Sequence, residues 1–236
     1  MQKQHELHRG KSKTVYATDH PDHVIMQFRD DATAFNGVKH ALLDKKGETN
    51  NKINAFIMQK LAEAGVKTHF VERISETESL VKSLSMLPIE CIVRNVAAGS
   101  LSKRLGIEEG TALKRPIFEF CYKSDALNDP LINDDHIVAL GWASEEDVSA
   151  LRELTFKVNE VLKPLFAKGN MTLVDYKLEF GRFQGELLLG DEFSPDGCRL
   201  WDTETGEKMD KDRFRRDQGN VIEHYIEVGK RIGVTF

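Results

Sequence analysis

The sequence predicts a protein that combines antiparallel hairpins with amphipathic helices, and two stretches indicate this most directly. Residues 173–181 alternate apolar and charged side chains with a period of two, which is typical of a β-strand. Residues 182–185 can form a turn, and a second apolar run then returns to Asp191, which together predict a hairpin. The stretch after Ser144 instead repeats apolar residues at helical spacing, which predicts a long helix.

The other strands are predicted from short runs rich in β-branched and aromatic residues, bounded by turn-forming residues. Residues 7–13 are predicted to form a basic turn ahead of the first of them, and a short helix ending near Leu105 is predicted to follow the fifth. The predicted strands cover residues 14–18, 24–28, 68–74, 79–84, 87–95 and 117–123.

Three longer helices are predicted from their apolar stripes and terminal residues. The first covers residues 48–64. The second begins after Ser144, which is a suitable N-cap, and Pro164 is expected to kink it near its end. Asp210 is expected to cap a final helix that runs to about residue 230.

Composition excludes several classes of protein. The chain has 236 residues and a net charge of −5, which gives no electrostatic reason to expect nucleic-acid binding. No apolar run approaches the roughly 20 residues of a membrane span, and the polar N-terminus lacks a signal-peptide core. The three cysteines, Cys91, Cys121 and Cys198, lack metal-site spacing, which favours free thiols in a reducing cytoplasm.

The predicted 173–194 hairpin carries an unusual set of charges. Asp175, Lys177 and Glu179 share one face of its first strand, and Asp191 and Glu192 end the second. A solvated strand face is one interpretation. However, two carboxylates about 4 Å apart repel by roughly 4 kcal/mol at an effective dielectric near 20, so such a cluster favours a cation or a shared proton. Glu179 and Asp191 are therefore candidate Mg²⁺ ligands, provided that the hairpin register places both on one side.

Two further stretches are candidates for phosphate binding. The Gly10-Lys11-Ser12 turn lacks the earlier glycine, the preceding strand and the following helix of a P-loop, but a basic turn between strands can still cover phosphates. Arg94 and Ser100 offer a forked guanidinium and a hydroxyl near a helix start. The alternative for Arg94 is a surface ion pair with Glu90.

Several stretches, taken together, resemble the SAICAR synthetase (phosphoribosylaminoimidazole-succinocarboxamide synthase) family over essentially the whole chain. The two most specific are Glu90 to Ser100 and Asp175 to Gly181, and Asn36 is shared with a bacterial branch of the family. The full set comprises residues 9–13, 31–37, 88–100, 174–181 and 191–196.

The resemblance implies an α+β fold. An N-terminal, mainly antiparallel β domain (residues 1–85) would pack with a larger α+β domain (residues 86–236), and ATP would lie in the cleft between them, as in kinases and ATP-grasp enzymes. The implied reaction is an ATP-dependent ligation in purine biosynthesis. ATP phosphorylates the carboxylate of carboxyaminoimidazole ribonucleotide, and the amine of L-aspartate displaces the phosphate. The family also suggests a cytoplasmic homodimer that uses ATP and Mg²⁺.

The resemblance also implies roles for individual residues. Asp175, Lys177 and Lys13 would be catalytic, with Asp175 and Lys177 facing the reacting end. Glu179 and Asp191 would hold Mg²⁺ against the nucleotide phosphates. The residues implied to bind ATP are Lys11, Ser12, Lys13, Val15, Lys82, Lys123, Glu179 and Asp191. Those implied to bind the ribotide substrate are Arg94, Ser100, Arg199, Asp175 and Lys177.

Two other functions remain compatible with the residues themselves. A phosphotransferase acting on a hydroxyl would use the same metal site and basic loop, but it would not depend on aspartate. A non-catalytic nucleotide-binding protein would not require Lys177, Glu179 and Asp191 together. For the ligase, the two carboxylates of aspartate are expected to meet a cationic or amide-rich patch near Lys177 and residues 31–37.

Overall fold

The computed structural model describes residues 1–35 and 37–236, so part of the predicted Asn36–Gly37 turn lies outside the described residues. Within them the strands are β1 (Lys3–Arg9), β2 (Lys13–Thr18), β3 (His23–Phe28), β4 (Asp31–Ala34), β5 (Lys39–Leu42), β6 (Phe70–Arg73), β7 (Glu78–Lys82), β8 (Ser85–Val96), β9 (Ala112–Tyr122), β10 (Leu131–Ile132), β11 (Met171–Phe183), β12 (Glu186–Leu189) and β13 (Cys198–Asp202). The helices are α1 (Lys46–Glu63), α2 (Gly99–Leu105), α3 (Asp134–Ala139), α4 (Glu145–Lys168), α5 (Asp212–Arg215) and α6 (Val221–Ile232), with a 3₁₀ turn at Asp125–Leu127.

The strands form two antiparallel sheets and a separate β4–β5 hairpin. The smaller, N-terminal sheet has the order β1-β2-β3-β7-β6. The larger sheet has the order β10-β9-β8-β11-β12, and β13 pairs with the first half of β11. Strand β11 therefore pairs with β8 from Asp175 onward on one side, and with β13 and β12 at its two ends on the other, which fixes its register tightly.

The main hydrophobic core lies between the larger sheet and helices α1, α4 and α6. Ile53 and Ile57 of α1 are fully buried in it, together with Val158 and Leu162 of α4. Helix α4 begins as predicted, because Ser144 accepts a hydrogen bond from the Asp147 backbone N–H at 3.2 Å and forms a capping box with it. Among the described residues, no helix is both long and apolar enough to cross a membrane.

Most of the predicted elements are confirmed, and the exceptions have physical reasons. Strand β1 was not expected, because every residue in it is exposed and its pattern carries no apolar face. The helix predicted over residues 48–64 is confirmed as α1, and α4 continues through Pro164 to Lys168.

The predicted role of Asp210 as the cap of the final helix is wrong. Its carboxylate instead accepts a hydrogen bond from the Asp212 backbone N–H, at 2.7 Å, at the start of the short helix α5. Left-handed backbone at Asp217 (φ 54°) and Asn220 (φ 49°) interrupts the helical path, so α6 begins only at Val221.

Candidate active site

The candidate site is built on β11, whose alternating pattern is confirmed. Asp175, Lys177 and Glu179 lie on the face opposite the main core, and β8 pairs with this stretch so that Arg94 lies across from Asp175. The strand is more deeply buried than the half-buried strand that the sequence predicts. Asp175 is only 3% exposed and Glu179 only 8%.

The hairpin register brings Glu179 and Asp191 to the same region. Gln184 and Gly185 both have positive φ and form the turn, so Phe183 pairs with Glu186. The Gly190 backbone N–H then donates to the Glu179 carbonyl at 2.9 Å. Asp191 follows with left-handed backbone (φ 51°), which turns its side chain out of the strand alternation. The register therefore brings the two carboxylates together, as a shared site requires.

Lysines from two parts of the chain pair with these carboxylates. Lys13 lies 2.5 Å from Asp191 and 2.6 Å from Glu192, and Lys123 forms an ion pair with Glu179. Burial raises the pKa of Glu179, and the nearby charge of Asp191 raises it further. Burial also acts to raise the pKa of Asp191, but the charge of Lys13 outweighs it and holds this pKa below its ordinary value. Glu179 and Asp191 thus place two negative charges close together, and a further cation would stabilise them.

A divalent cation fits the donors present. Glu179 and Asp191 offer carboxylate oxygens, which hard cations such as Mg²⁺ prefer. The Glu192 Oε2 atom, next to them, is buried without a hydrogen-bond partner in the described part of the chain. Because an unpaired buried carboxylate oxygen is costly, it indicates that the site is completed by something beyond these side chains.

A second cluster lies at the other end of the same face and is built around Asp175. Arg94 Nη1 donates to the Asp175 carboxylate at 3.0 Å, and Arg199 Nη1 donates to its two oxygens at 3.1 and 2.8 Å. Arg94 Nη2 also donates to Ser100 Oγ at 2.9 Å. The predicted phosphate-binding residues Arg94, Ser100 and Arg199 therefore converge on one point.

Arg94 is not a surface residue, so the alternative of an exposed ion pair with Glu90 is wrong. Arg94 is only 4% exposed, and its Nε donates to Glu119 at 2.6 Å. Glu90 pairs instead with Lys177, whose ammonium lies 2.7 Å from it. The Lys177 side chain is 46% exposed, which leaves it accessible between the two clusters.

The other candidate nucleotide-binding residues are more dispersed. Lys11 lies 2.6 Å from Asp125, two residues after Lys123, so the basic turn approaches the segment that also supplies the lysine paired with Glu179. The Ser12 carbonyl accepts a hydrogen bond from the Arg29 backbone N–H at 2.8 Å, which holds the turn. Two further candidates lie in the smaller sheet: Val15 packs on its apolar cluster, and Lys82 lies over the Phe183 ring at 5.5 Å.

His69 is a site residue that the sequence did not indicate. It is 5% exposed, and its Nε2 lies 2.9 Å from the backbone carbonyl of Asp191. Burial lowers the pKa of His69 to about 4, so the ring is neutral near pH 7 and acts as a donor that holds the Asp191 backbone. A single histidine in a predicted strand carries no signal for such a role.

Glu119 and Glu192 were also not assigned roles, although both pair with predicted site residues. Their contacts join segments that are separated in the sequence, Arg94 with Glu119 and Lys13 with Glu192.

Comparisons with known proteins identify the family of this chain. A family model described as SAICAR synthetase matches residues 6–232. The phosphoribosylaminoimidazole-succinocarboxamide synthase of Marinomonas sp. (strain MWYL1) is 61% identical over 236 residues, covering 100% of this chain and 99% of that protein. The crystal structure of the Ehrlichia chaffeensis synthase superimposes with a TM-score of 0.96 at 44% identity, covering 98% of this chain and 100% of that one. A SAICAR synthetase solved in complex with ADP has a TM-score of 0.93 at 45% identity, with 96% and 97% coverage. The chain belongs to the SAICAR synthetase family.

Proposed function

We propose that this protein is an ATP-dependent carbon–nitrogen ligase of purine biosynthesis that joins L-aspartate to carboxyaminoimidazole ribonucleotide. One observation carries the proposal: an arginine cluster and a lysine–carboxylate cluster occupy the same face of β11, at Asp175 and at Glu179. Four residues of extended strand span about 13 Å. This separation suits a ribotide phosphate at one end and nucleotide phosphates at the other, with the reacting carboxylate between them.

In the proposed reaction, a carboxylate oxygen of the ribotide attacks the γ-phosphorus of ATP, forming an acyl phosphate and releasing ADP. The aspartate nitrogen then attacks the acyl carbon, the C–O bond to phosphate breaks, and an amide and inorganic phosphate result. Transfer between two anions needs charge neutralisation and alignment more than covalent help from the protein. Lys13 and the half-exposed Lys177 are the side chains that supply this charge.

No step through a protein thiol is needed. Cys91, Cys121 and Cys198 are all buried. Burial raises the pKa of Cys121 to about 11, and it raises the pKa of Cys91 and Cys198 as well. Because the thiolate is the reactive form, these side chains are poor nucleophiles, which supports direct transfer to the substrate.

Glu179 and Asp191 are the residues that would hold Mg²⁺. When bound there, Mg²⁺ would neutralise the charge of the nucleotide phosphates. Around it, His69 holds the Asp191 backbone and Lys123 holds Glu179. The remaining proposed nucleotide contacts are Lys11 and Ser12 in the basic turn, with Val15 and Lys82 in the smaller sheet.

Arg94, Ser100 and Arg199 are proposed to bind the ribotide phosphate. Burial raises the pKa of Asp175, while the charges of Arg199 and Arg94 oppose this rise. Asp175 would thus hold both guanidinium groups in place until a phosphate arrives. Its proposed catalytic role is to face the reacting end of the substrate together with Lys177. The forked donors of arginine match phosphate oxygens.

The domain boundary, the localisation and the oligomeric state are also proposals. We place the domain boundary near residue 85, between β7 and β8, although α1 packs into the main core from the N-terminal side. A cytoplasmic homodimer that binds these small molecules, and neither nucleic acid nor membrane, agrees with the family and with the net charge of −5. Sedimentation velocity over a range of protein concentrations tests the dimer.

The function is tested by measuring ADP release from Mg-ATP with the ribotide, with and without L-aspartate. Release that requires both co-substrates and yields the succinocarboxamide supports the ligase. Release with a sugar hydroxyl acceptor and without aspartate would instead identify a phosphotransferase. Failure to release ADP in any combination, with ATP still bound, would contradict the proposed function.

A further inference from the structure

His69 lies where the two sheets meet, directly before β6 of the smaller sheet and beside the end of β12 of the larger one. Its backbone N–H donates to the Leu189 carbonyl at 2.8 Å, and its own carbonyl accepts from the Lys82 backbone N–H, also at 2.8 Å. The neighbouring Thr68 forms a parallel bridge with Leu189. Segments of both sheets therefore hold the His69 backbone, and its buried ring starts from a fixed position.

The His69 ring contacts a residue that lies outside the regular structure. Asp191 comes two residues after the end of β12 and belongs to no strand or helix. Among residues 1–35 and 37–236, His69 Nε2, at 2.9 Å, is the only hydrogen-bond donor to the Asp191 carbonyl. A carbonyl oxygen can only accept, so the Nε2 atom carries the proton of this hydrogen bond.

The backbone of Asp191 requires such support. Its φ of 51° is left-handed, which a residue with a side chain rarely adopts and keeps only where its surroundings hold it. The same backbone conformation sets the direction of the side chain, so a hydrogen bond to the carbonyl also fixes where the carboxylate points. An extended Asp191 would continue the alternation of β12 and direct its carboxylate elsewhere.

Lys13 does not fix the same geometry. Its ammonium lies 2.5 Å from Asp191 and 2.6 Å from Glu192, so it is shared between two carboxylates. An ammonium is a compact charge on a flexible chain and attracts a carboxylate from many directions. The hydrogen bond from His69 acts on the Asp191 backbone instead, and it occupies neither of the carboxylate oxygens.

We propose that His69 is a positioning residue for metal binding: its hydrogen bond holds the left-handed backbone of Asp191 and so aims the Asp191 carboxylate at the cation shared with Glu179. The inference rests on the proposed ligase function and adds a residue that acts through a metal ligand. Replacing groups that orient metal ligands typically weakens metal binding tenfold to a hundredfold. His69 therefore sets the affinity of the site for Mg²⁺ without touching the metal or a substrate.

Two amide variants separate the hydrogen bond from the other contacts of the ring. The amide nitrogen of glutamine is the same number of bonds from Cβ as Nε2 of histidine, so His69→Gln keeps a donor at this distance. The amide of His69→Asn is one bond shorter and does not reach the Asp191 carbonyl. Both replacements are neutral and polar, and His5→Asn, at an exposed position in β1, is the matched control.

Mn²⁺ without nucleotide is the probe for binding, because it takes the same oxygen ligands as Mg²⁺ and its free concentration is measured by electron paramagnetic resonance. The dissociation constant for Mn²⁺ is expected to rise about tenfold to a hundredfold in His69→Asn and to stay close to the wild-type value in His69→Gln and His5→Asn. An unchanged constant in His69→Asn would overturn the proposal.

Metal-free ADP tests whether the ring touches the nucleotide instead. Calorimetry in the presence of EDTA should give the same ADP affinity for wild type, His69→Gln, His69→Asn and His5→Asn. If His69→Asn weakened metal-free ADP binding as much as Mn²⁺ binding, the ring would contact the nucleotide, and the positioning role would be refuted.

Kinetics test the same role during the reaction. With all substrates present, His69→Asn should need about tenfold to a hundredfold more Mg²⁺ for half-maximal ADP release. Its kcat at saturating Mg²⁺ and its KM values for the ribotide and aspartate should match those of wild type. A loss of kcat that saturating Mg²⁺ does not restore would contradict a role confined to metal binding.

Asp191→Asn distinguishes failure of this inference from failure of the proposed function. If it loses Mn²⁺ binding and His69→Asn does not, the positioning role is refuted and the ligase function stands. If it binds Mn²⁺ as wild type does, Asp191 is not a metal ligand and the inference fails, whereas ADP release that requires ribotide and aspartate would still support the ligase. Mn²⁺ binding that depends on both residues, in a protein that releases no ADP, would support the positioning role and contradict the ligase function. If His69→Asn does not fold, His69→Leu, which fills the space without a donor, takes its place.

Discussion

The ammonium of Lys13 lies 2.5 Å from the carboxylate of Asp191 and joins the first hairpin of the smaller sheet to the end of β12. The same ammonium lies 2.6 Å from Glu192, and the Lys13 side chain is only 16% exposed. Burial acts to lower the pKa of Lys13, but the charges of Asp191 and Glu192 raise it above its ordinary value. One lysine thus compensates the buried Glu192 carboxylate and the partly exposed Asp191 carboxylate, and it is proposed to face the nucleotide.

We expect Lys13→Met to lose both stability and activity. Breaking a buried ion pair leaves uncompensated charge and costs about 3 kcal/mol, which urea unfolding measures. The kcat for ADP release should fall about a hundredfold or more, because a group proposed to stabilise the transferred phosphoryl is removed. Lys11→Met is the stability control, since its ion pair with Asp125 is exposed and contributes less than about 1 kcal/mol. Equal stability of the two variants would contradict the structural role of Lys13.

Gly99 offers a test of the proposed ribotide phosphate site. A Cβ at Gly99 would overlap the Arg199 guanidinium, so alanine there must displace that group. We expect Gly99→Ala to raise the KM for the ribotide about tenfold or more, with an unchanged KM for ATP. Gly106→Ala is a matched control, because Gly106 has a similar φ (+64° against +56°) and nothing within 4 Å of the added Cβ. The two variants should lose about the same 1 kcal/mol from left-handed strain. Similar ribotide KM values for both would argue against phosphate binding at Arg199.

The sequence predicts β11 well because its alternation is strong and its turn residues are typical. The same pattern cannot predict that Asp175 and Glu179 are buried, because that depends on β8, β9 and β13 arriving from distant parts of the chain. The register of Asp191 depends on a two-residue turn and on its own positive φ, neither of which periodicity specifies.

Three features were not predicted correctly from the sequence: strand β1, the role of His69 and the start of the final helix. Strand β1 is a polar edge strand whose hydrogen bonds to β2 are made by the backbone, so its side chains carry no signal. His69 acts through a backbone carbonyl of a residue far along the chain. The final helix was predicted too early because Asp210 is a good N-cap residue, but its oxygens bind the Leu200 and Asp212 backbone N–H groups.

Asp210 leads to a prediction about pH. Burial raises the pKa of Asp210 to about 7, and the charge of Asp212 adds to this. Because the folded pKa is above that of the unfolded chain, the folded state binds more protons between pH 4 and pH 7. The stability from protonated Asp210 is therefore complete below about pH 4 and is lost as the pH rises through 7, at up to about 1.4 kcal/mol per pH unit.

Urea unfolding of wild type and Asp210→Asn from pH 4 to pH 8 measures this effect. The free energy of unfolding of wild type, relative to the variant, should decrease over that range, since asparagine does not titrate. Asp135→Asn, at an exposed carboxylate, should show no such change relative to wild type. A constant difference between wild type and Asp210→Asn would show that the folded pKa of Asp210 is not raised.

Variants at Lys177 and at its partner Glu90 can distinguish a catalytic role of Lys177 from a purely structural one. Its ammonium lies 2.7 Å from the buried Glu90 carboxylate, yet its side chain is 46% exposed toward the space between the two clusters. If it stabilises charge on the reacting carboxylate and phosphoryl, Lys177→Met should lower kcat about a hundredfold to a thousandfold with little change in ATP binding. Glu90→Gln keeps the ammonium but weakens its anchor, so it should lose much less activity, although both variants break the same ion pair. If Lys177 served only as the counter-ion of Glu90, the two variants would lose stability and retain kcat to similar extents, and the charge on β11 would have no part in the transfer.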